Sequence, residues 1–190
     1  MSELTLAFVQ AALNAPVSAQ ADAATRNITD SRQAEAGDVF VALVGEQFDG
    51  HDYVADVLVK GGAAVIVSRE IVAGDARQIV VADTLAALGQ VAQTWRLKWN
   101  PKIVALTGSN GKTTVKEMCA AILRTALGDD AVLATAGNFN NEIGMPLTLL
   151  RLQAAHKVAV LEMGMNHFGE LARLTQIAQP DVALVNNASR

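Results

Sequence analysis

The sequence predicts an α/β fold: a small N-terminal α/β domain followed by part of a second domain with a mainly parallel sheet. Short apolar runs of strand length alternate with helical patterns along the 190-residue chain, and this alternation is typical of parallel sheets covered by helices. In the second half, one apolar run leads into a glycine-rich loop and then a helix. The apolar content of 51% is sufficient for two small cores.

Residues 1–83 form the first predicted domain. Their pattern predicts strands at residues 39–44, 63–67 and 78–81, with a short helix at residues 53–60. Residues 84–99 are predicted to form a linking helix, because apolar side chains recur there at helical spacing and Pro101 follows. The sequence therefore places the domain boundary within or just after this helix.

Residues 100–190 form the second predicted domain. Strand-like runs at residues 102–106, 131–135, 158–162 and 181–185 alternate with helical patterns, which predicts a mainly parallel sheet. The helix after the glycine-rich loop has an apolar stripe and a stop signal at Gly128. The stripe consists of Val115, Met118, Cys119, Ile122, Leu123, Ala126 and Leu127.

The glycine-rich loop between the first of these strands and its helix predicts a phosphate-binding (P-loop) site. Glycines let backbone N–H groups face phosphate oxygens, and the helix presents its positive N-terminal end to the same anion. Lys112 would reach the β- and γ-phosphates, and the hydroxyl of Thr113 would ligate Mg²⁺. The predicted nucleotide-binding residues are Gly108, Ser109, Asn110, Gly111, Lys112, Thr113 and Thr114.

The loop departs from the general P-loop spacing, because Leu106 stands where a further glycine is usual. The alternative interpretation is a glycine-rich turn that a lysine follows by chance. The apolar run before the loop and the helical pattern after it favour phosphate binding, since they supply the strand, loop and helix in the required order.

Composition excludes several classes of protein. The net charge of −4 and the aromatic content of 4% provide neither a basic nor a stacking surface, so we expect no nucleic-acid partner. No apolar run approaches the about 18 residues of a membrane span, and the N-terminus lacks signal-peptide features; a cytoplasmic monomer is expected. A single cysteine, Cys119, excludes a disulfide framework and is expected to pack in the core.

Glu162 ends the apolar run 158–162, and a carboxylate in that position costs desolvation unless it has a partner. A Mg²⁺ ion bound to nucleotide phosphates would be such a partner, because hard cations prefer oxygen ligands. The alternative is that Glu162 caps a loop or pairs with an arginine. The metal role is favoured because parallel strands bring their carboxyl ends, and hence the phosphate loop, to the same edge.

Three asparagines follow the strand predicted at residues 131–135. They form a structural loop or bind a polar substrate through neutral amides, and the residues alone do not decide between these interpretations. The three are Asn138, Asn140 and Asn141. His167 follows Glu162 closely enough to contact the same site. In the first domain, physical chemistry alone assigns no catalytic role to Arg32 or to the turn that contains Gly50.

Taken together, these segments resemble the Mur ligases, ATP-dependent enzymes that form amide bonds in bacterial peptidoglycan synthesis. The likeness covers the whole chain, and the loop at residues 107–113 matches the family's T-G-x-N/S-G-K-T form, which also lacks the first glycine. Within the family, the chain is similar to the member that adds D-alanyl-D-alanine. The matching stretches are D-S-R, G-D-x-F and D-G-H in the first domain, G-N-x-N-N-E-I-G-x-P at residues 137–146 and E-M-G-M-N at residues 162–166.

The resemblance implies that ATP phosphorylates the terminal carboxylate of UDP-N-acetylmuramoyl-tripeptide and that the amine of D-alanyl-D-alanine attacks the acyl phosphate. ATP and Mg²⁺ are the implied cofactors. Lys112 and Glu162 would be catalytic, with the metal on Thr113 and Glu162. The residues implied in substrate binding are Ser31, Arg32, Asp49, Gly50, His51, Asn138, Asn140, Asn141 and His167.

Members of the family continue beyond the position of Arg190, so the sequence is expected to be an N-terminal portion that is inactive alone. Three alternatives remain open. A sister ligase that adds a single amino acid would share the loop and Glu162. A P-loop kinase or NTPase would turn over ATP without an amine acceptor and would leave the first domain unexplained. A nucleotide-binding module would have no chemistry.

Overall fold

A computed structural model describes residues 4–16 and 25–188 of the chain. It has the predicted α/β class, and it divides into two compact units with the boundary between Val91 and Ala92. None of the helices in the described ranges is long and apolar enough to cross a membrane.

The first unit contains a four-stranded sheet in which every neighbouring pair is parallel. Its elements are α1 (Leu6–Ala12), β1 (Asn27–Ile28), β2 (Val39–Val41), α2 (Val54–Val59), β3 (Ala64–Val67) and β4 (Gln78–Val80). The strands lie in the order β1-β2-β3-β4. Phe40 and Val65 on the sheet pack with Val54 and Val57 in its core, so the alternation of apolar runs in the sequence corresponds to strands and a covering helix.

The strand predicted at residues 39–44 is shorter in the structure, because β2 ends at Val41. The N–H of Leu43 donates to the carbonyl oxygen of Val41 at 3.0 Å, which turns the chain out of the strand. Ala42 and Leu43 are nevertheless buried. Their burial explains the apolar run, and the run therefore overstated the length of the strand.

Helix α3 (Thr84–Trp99) has the bounds that the sequence predicted. The boundary between the two units falls inside it, so its first half belongs to the first unit and its second half to the other. Thr84 donates its hydroxyl to the carbonyl oxygen of Ala42 at 2.9 Å. Trp95 is buried and donates its indole N–H to the carbonyl oxygen of Leu152 at 3.0 Å. Each half of the helix is thus anchored within its own unit.

The second unit contains another parallel sheet of four strands. Its elements are β5 (Lys102–Thr107), α4 (Lys112–Leu127), β6 (Val132–Ala134), α5 (Gly144–Leu149), β7 (Val158–Glu162), α6 (Glu170–Ala178) and β8 (Val182–Val185). The strand order is β6-β7-β5-β8. Strand β7 is buried along its whole length, whereas the side chains of the edge strand β8 are exposed.

The predicted apolar stripe of α4 is only partly correct. Met118 is 60% exposed and Ile122 is 67% exposed. The fully buried positions of the helix are Lys116 and Ala120, while Cys119 is half-buried against the core formed by β5, β6 and β7. The sheet touches a narrower face of α4 than the apolar pattern indicated, and that face includes a lysine.

Candidate nucleotide and metal site

The register of the second sheet brings its polar loops to one edge. Leu106 pairs with Glu162 between β5 and β7, and Thr107 pairs with Val185 between β5 and β8. Strand β6 runs parallel beside β7. Because all four strands are parallel, the loops that follow them leave the sheet at the same end, which is where open parallel sheets bind ligands.

The glycine-rich loop connects β5 to α4 directly. Gly111 precedes the helix with a φ of +76°, a left-handed conformation that glycine adopts without the steric cost of a side chain. Lys112 begins the helix, and its Nζ donates to the carbonyl oxygen of Gly108 at 2.6 Å. Thr113 and Thr114 lie exposed in the first turn. The helix N-terminus, the lysine and the hydroxyls therefore occupy the arrangement that binds phosphate.

Glu162 is the buried carboxylate of this edge, with 3% of its surface exposed. The hydroxyl of Thr113 donates to its Oε2 at 2.9 Å, and the amide of Asn140 donates to its Oε1 at 2.8 Å. Neither partner carries a charge, and no arginine or lysine among the described residues forms an ion pair with it. A buried carboxylate with only neutral partners is costly, so the position favours a cation.

The Thr113 hydroxyl and the Glu162 carboxylate supply the kind of ligands that Mg²⁺ takes, hard oxygen atoms, one of them ionised. Within residues 4–16 and 25–188, no group of three or more His, Cys, Asp or Glu side chains could hold a metal without other ligands. The donor set therefore fits a metal that keeps waters and nucleotide phosphates as its remaining ligands, as Mg²⁺ usually does.

The three asparagines of residues 138–141 have different environments. Asn140 contacts Glu162, and its own carbonyl oxygen accepts from the N–H of Gly164 at 2.6 Å. Asn141 accepts from the N–H of Gly144 at 2.8 Å through its side-chain oxygen, which holds the start of α5. Asn138 is exposed. Asn141 thus has the structural role of a turn residue, and Asn140 joins the site.

His167 lies on an exposed turn before α6. Its backbone N–H donates to Oε2 of Glu170 at 3.3 Å, and its ring makes no hydrogen bond to the phosphate loop or to Glu162. The structure therefore does not bring His167 into the network that joins Thr113, Asn140 and Glu162.

Sequence reasoning missed Lys116, which is 1% exposed on the buried face of α4. Its Nζ donates to the carbonyl oxygen of Thr135 at 2.7 Å and forms an ion pair with Glu117 at 2.6 Å. The hydroxyl of Thr135 accepts from the backbone N–H of Glu162 at 3.0 Å. Lys116 therefore links the helix of the phosphate loop to the strand that carries Glu162.

The asparagine pair that follows β8 was also missed. Asn186 and Asn187 contact the glycine-rich loop through both backbone and side-chain atoms. The sequence feature that could have identified them is a polar pair directly after an apolar strand, comparable to Glu162 at the end of β7. Their partners lie 76 and 77 residues away along the chain, so only the strand order identifies them.

In the first unit, Ser31 and Arg32 lie in a single helical turn capped by Asp30. The guanidinium of Arg32 is largely exposed and pairs with Asp30 at 2.7 Å. Hydrogen bonds from the Arg32 side chain and then its backbone N–H lower the pKa of Asp30 to about 2. The carbonyl oxygen of Ser31 accepts from Nζ of Lys60 at 3.1 Å. Arg32 is thus accessible to an anionic ligand.

The Asp49-Gly50-His51 turn has a clear structural explanation. A side chain at Gly50 would lie 2.7 Å from the carbonyl oxygen of Leu43, so only glycine fits. His51 is buried, and its Nε2 accepts from the backbone N–H of Ser68 at 2.9 Å. Its Nδ1 therefore carries the proton and donates to Oδ1 of Asp49 at 2.5 Å.

These contacts change the expectation for the turn. Hydrogen bonds from the backbone N–H and then the ring of His51 lower the pKa of Asp49 to about 2, and Oδ2 of Asp49 accepts from Arg69 at 3.1 Å. Both ring nitrogens of His51 are engaged inside the protein. The His51 side chain accordingly supports the turn. Asp49 is the more exposed of the two side chains.

Comparison with known proteins identifies the family of the chain. A model of the Mur ligase middle domain matches residues 106–190, and a model of the Mur ligase family, catalytic domain, matches residues 28–96. The chain belongs to the Mur ligase family. Within the family, it is similar to the N-terminal portion of the D-alanyl-D-alanine-adding ligase, as three relatives illustrate.

The UDP-N-acetylmuramoyl-tripeptide--D-alanyl-D-alanine ligase of Haemophilus influenzae is 50% identical over 160 residues, which are 84% of this chain and 35% of the relative. A crystal structure of MurF from Acinetobacter baumannii matches with a TM-score of 0.84 and 40% identity, covering 97% of this chain and 41% of that chain. The MurF ligase of Thermotoga maritima in complex with ADP matches with a TM-score of 0.79 and 37% identity, covering 86% of this chain and 37% of that chain. The chain thus spans well under half the length of these relatives.

Proposed function

We propose that the chain supplies the UDP-sugar-binding and part of the ATP-binding portion of a ligase that joins D-alanyl-D-alanine to UDP-N-acetylmuramoyl-tripeptide. The observation that carries the proposal is the contact between Thr113 and Glu162 at 2.9 Å. It joins the first turn after a phosphate loop to a buried carboxylate that has no cationic partner among the described residues. The names of the relatives give the two substrates, and the ADP complex of the Thermotoga maritima relative supports a nucleotide.

The proposed reaction begins with a chemical difficulty. A carboxylate is a poor electrophile, because an attacking amine would have to expel oxide. Transfer of the γ-phosphoryl group of ATP to a carboxylate oxygen of the tripeptide converts that leaving group into phosphate and releases ADP. The amine of D-alanyl-D-alanine then attacks the carbonyl carbon, loses a proton and expels phosphate, which leaves the amide bond.

The residues of the site act by binding and orientation, which is the main contribution of a protein to phosphoryl transfer. Lys112 leaves the carbonyl oxygen of Gly108 to contact the β- and γ-phosphates. Thr113 and Glu162 would hold Mg²⁺, which when bound would offset negative charge on the phosphates. Asn140 orients the Glu162 carboxylate through its 2.8 Å hydrogen bond, so that one oxygen stays directed toward Thr113.

The first unit has the polar groups that the UDP-sugar would need. Arg32 is exposed beside Ser31, and a guanidinium is well suited to a diphosphate because it donates two parallel hydrogen bonds. Competition from Asp30, which pairs with Arg32 at 2.7 Å, is modest at an exposed position. Residues 1–83 are proposed as the UDP-sugar domain and residues 84–99 as the helix that leads to the ATP-binding portion, residues 100–190.

A fusion protein tests this proposal. Residues 1–190 replace the matching N-terminal portion of the Escherichia coli relative, which is 48% identical over 159 residues. Phosphate release is measured with UDP-N-acetylmuramoyl-tripeptide, Mg²⁺ and ATP, with and without D-alanyl-D-alanine. The product is identified by mass spectrometry. Release that needs both substrates and yields the pentapeptide supports the ligase. A Lys112→Met variant should lose activity about 100-fold or more, whereas Lys157→Met, at an exposed lysine, should not.

Other outcomes would contradict the proposal in distinct ways. Phosphate release without the dipeptide would indicate an NTPase. Release that requires a single amino acid in place of the dipeptide would indicate a sister ligase. Activity of the fusion protein that is unchanged by Lys112→Met would exclude the phosphate loop from the reaction.

A further inference from the structure

The asparagine pair after β8 holds one residue of the phosphate loop from two sides. Oδ1 of Asn187 accepts from the backbone N–H of Asn110 at 2.9 Å. Nδ2 of Asn186 donates to the carbonyl oxygen of the same Asn110 at 2.7 Å. The carbonyl oxygen of Asn187 accepts from the N–H of Ser109 at 3.1 Å. Three hydrogen bonds therefore fix consecutive peptide groups of the loop.

The position of the pair follows from the sheet. Thr107 and Val185 are partners at the ends of β5 and β8, and the N–H of Asn186 donates to the carbonyl oxygen of Thr107 at 2.9 Å. The chain after β8 therefore runs beside the loop after β5 for two more residues. Asn186 and Asn187 reach the loop from a strand that contributes no residue to the glycine-rich motif.

Holding the carbonyl group of Asn110 has a consequence for phosphate binding. The carbonyl group of Asn110 and the N–H of Gly111 belong to one planar trans peptide group, so they point in opposite directions. When Asn186 binds the carbonyl oxygen, the N–H of Gly111 is directed away from Asn186. The next N–H groups belong to the first turn of α4, where unpaired donors bind anions.

Gly111 and Asn186 also depend on each other sterically. A Cβ at position 111 would lie 2.7 Å from Nδ2 of Asn186, so a side chain there would displace the Asn186 amide from the loop. The glycine before Lys112 thus suits the left-handed backbone and also leaves room for the amide that approaches it. The glycine-rich motif and the asparagine pair are therefore in direct contact, although they are far apart in the sequence.

We infer that Asn186 and Asn187 are positioning residues for the nucleotide: they hold the loop in the conformation that directs its N–H groups to the phosphates. This inference rests on the proposed function. Amides are suited to the task because they supply a donor and an acceptor without charge. An aspartate at either position would place a negative charge beside the phosphates.

The test compares Asn187→Ala and Asn186→Ala with wild type and with Ala188→Ser, a small change at the exposed neighbouring residue, all in the fusion protein. Affinities for Mg·ATP and for UDP-N-acetylmuramoyl-tripeptide are measured by calorimetry. We expect each asparagine variant to bind Mg·ATP about tenfold more weakly, the effect of about 1.4 kcal/mol, with UDP-N-acetylmuramoyl-tripeptide affinity unchanged. Ala188→Ser should match wild type for both ligands. A loss of the general fold would lower both affinities.

Amide hydrogen exchange provides a second readout. Exchange of the Asn110 N–H should accelerate in Asn187→Ala and return to the wild-type rate in Asn187→Asp, which keeps the acceptor oxygen. Exchange along the buried face of α4 at Ala120 should stay constant. Together these results would distinguish loop positioning from general destabilisation.

The outcomes separate this inference from the proposed function. If wild type binds Mg·ATP and the asparagine variants bind it equally well, or if Asn110 exchange is unaffected, the inference is wrong and the proposed function stands. If wild type does not bind Mg·ATP, the proposed function fails and the inference fails with it.

Discussion

Replacing Glu162 by glutamine should have opposite effects on the protein with and without its ligand. The side chain is 3% exposed, and its partners, Thr113 and Asn140, are neutral. Glutamine has the same shape and can accept from Asn140 while donating to the Thr113 hydroxyl, which rotates to accept. Glu162→Gln therefore keeps the hydrogen bonds and removes the buried charge.

The expected magnitudes follow from this difference. Without metal, the free energy of unfolding should rise by about 1 kcal/mol, because removing the desolvation cost of the carboxylate outweighs the loss of its stronger charged hydrogen bonds. With Mg·ATP at 100 times its Kd, wild type should gain about 2.7 kcal/mol. If the variant binds about 100-fold more weakly, the same ligand concentration should add only about 0.4 kcal/mol.

Urea unfolding of the 190-residue chain measures both effects, in EDTA and then with Mg·ATP at a fixed concentration. ATP with EDTA serves as the control that isolates the metal. The reasoning would be refuted by a Glu162→Gln variant that is stabilised by Mg·ATP as much as wild type is. Equal destabilisation in both conditions would mean that Glu162 is only a structural residue.

Three further predictions concern other residues. Lys116→Met should lower the free energy of unfolding by about 1–3 kcal/mol, because the buried carbonyl oxygen of Thr135 loses its partner; Glu117→Gln should cost less than about 1 kcal/mol, and equal urea midpoints for the two would contradict this. The pKa of Asp49 is lowered from 3.8 to about 2, so its contribution to stability is complete above pH 3.8 and is lost as the pH falls toward 2. Asp49→Asn should therefore flatten the fall in unfolding free energy between these values, and parallel pH profiles would exclude the effect. Gly50→Ala should destabilise the first unit by about 1–3 kcal/mol, since its Cβ would meet the backbone of Leu43 at 2.7 Å; an unchanged melting temperature would argue against that contact.

Local features of the sequence were sufficient for much of the fold. The bounds of α3 and β7 agree with the predictions, because α3 is a long segment with helical periodicity and β7 is a short, continuous apolar run that is buried throughout. The predictions for residues 39–44 and for the apolar stripe of α4 were less accurate. Apolar character reports burial, and it overstates a strand when the chain turns while still buried, as at Leu43. It also identifies a helical face only approximately, as Met118 demonstrates.

The candidate site was predictable to a similar degree. The glycine-rich loop and Glu162 could be recognised as candidate site residues because each lies at the end of an apolar run in the sequence. The structure adds which side chains meet, such as Asn140 with Glu162, and which turn inward, such as His51 with Asp49 and Ser68. Three neighbouring asparagines look alike in a sequence, and only their contacts distinguish Asn140 from Asn141.

The sequence by itself determined the α/β class, the strand, the glycine-rich loop and the helix of the candidate site, and the carboxylate at the end of β7. These depend on interactions between residues close in the chain, or on polarity patterns that burial imposes. Only the tertiary structure decided that Lys116 is buried and that Asn186 and Asn187 hold the loop. Those contacts depend on which strands are neighbours and in what register, because strand pairing joins residues that no local pattern connects.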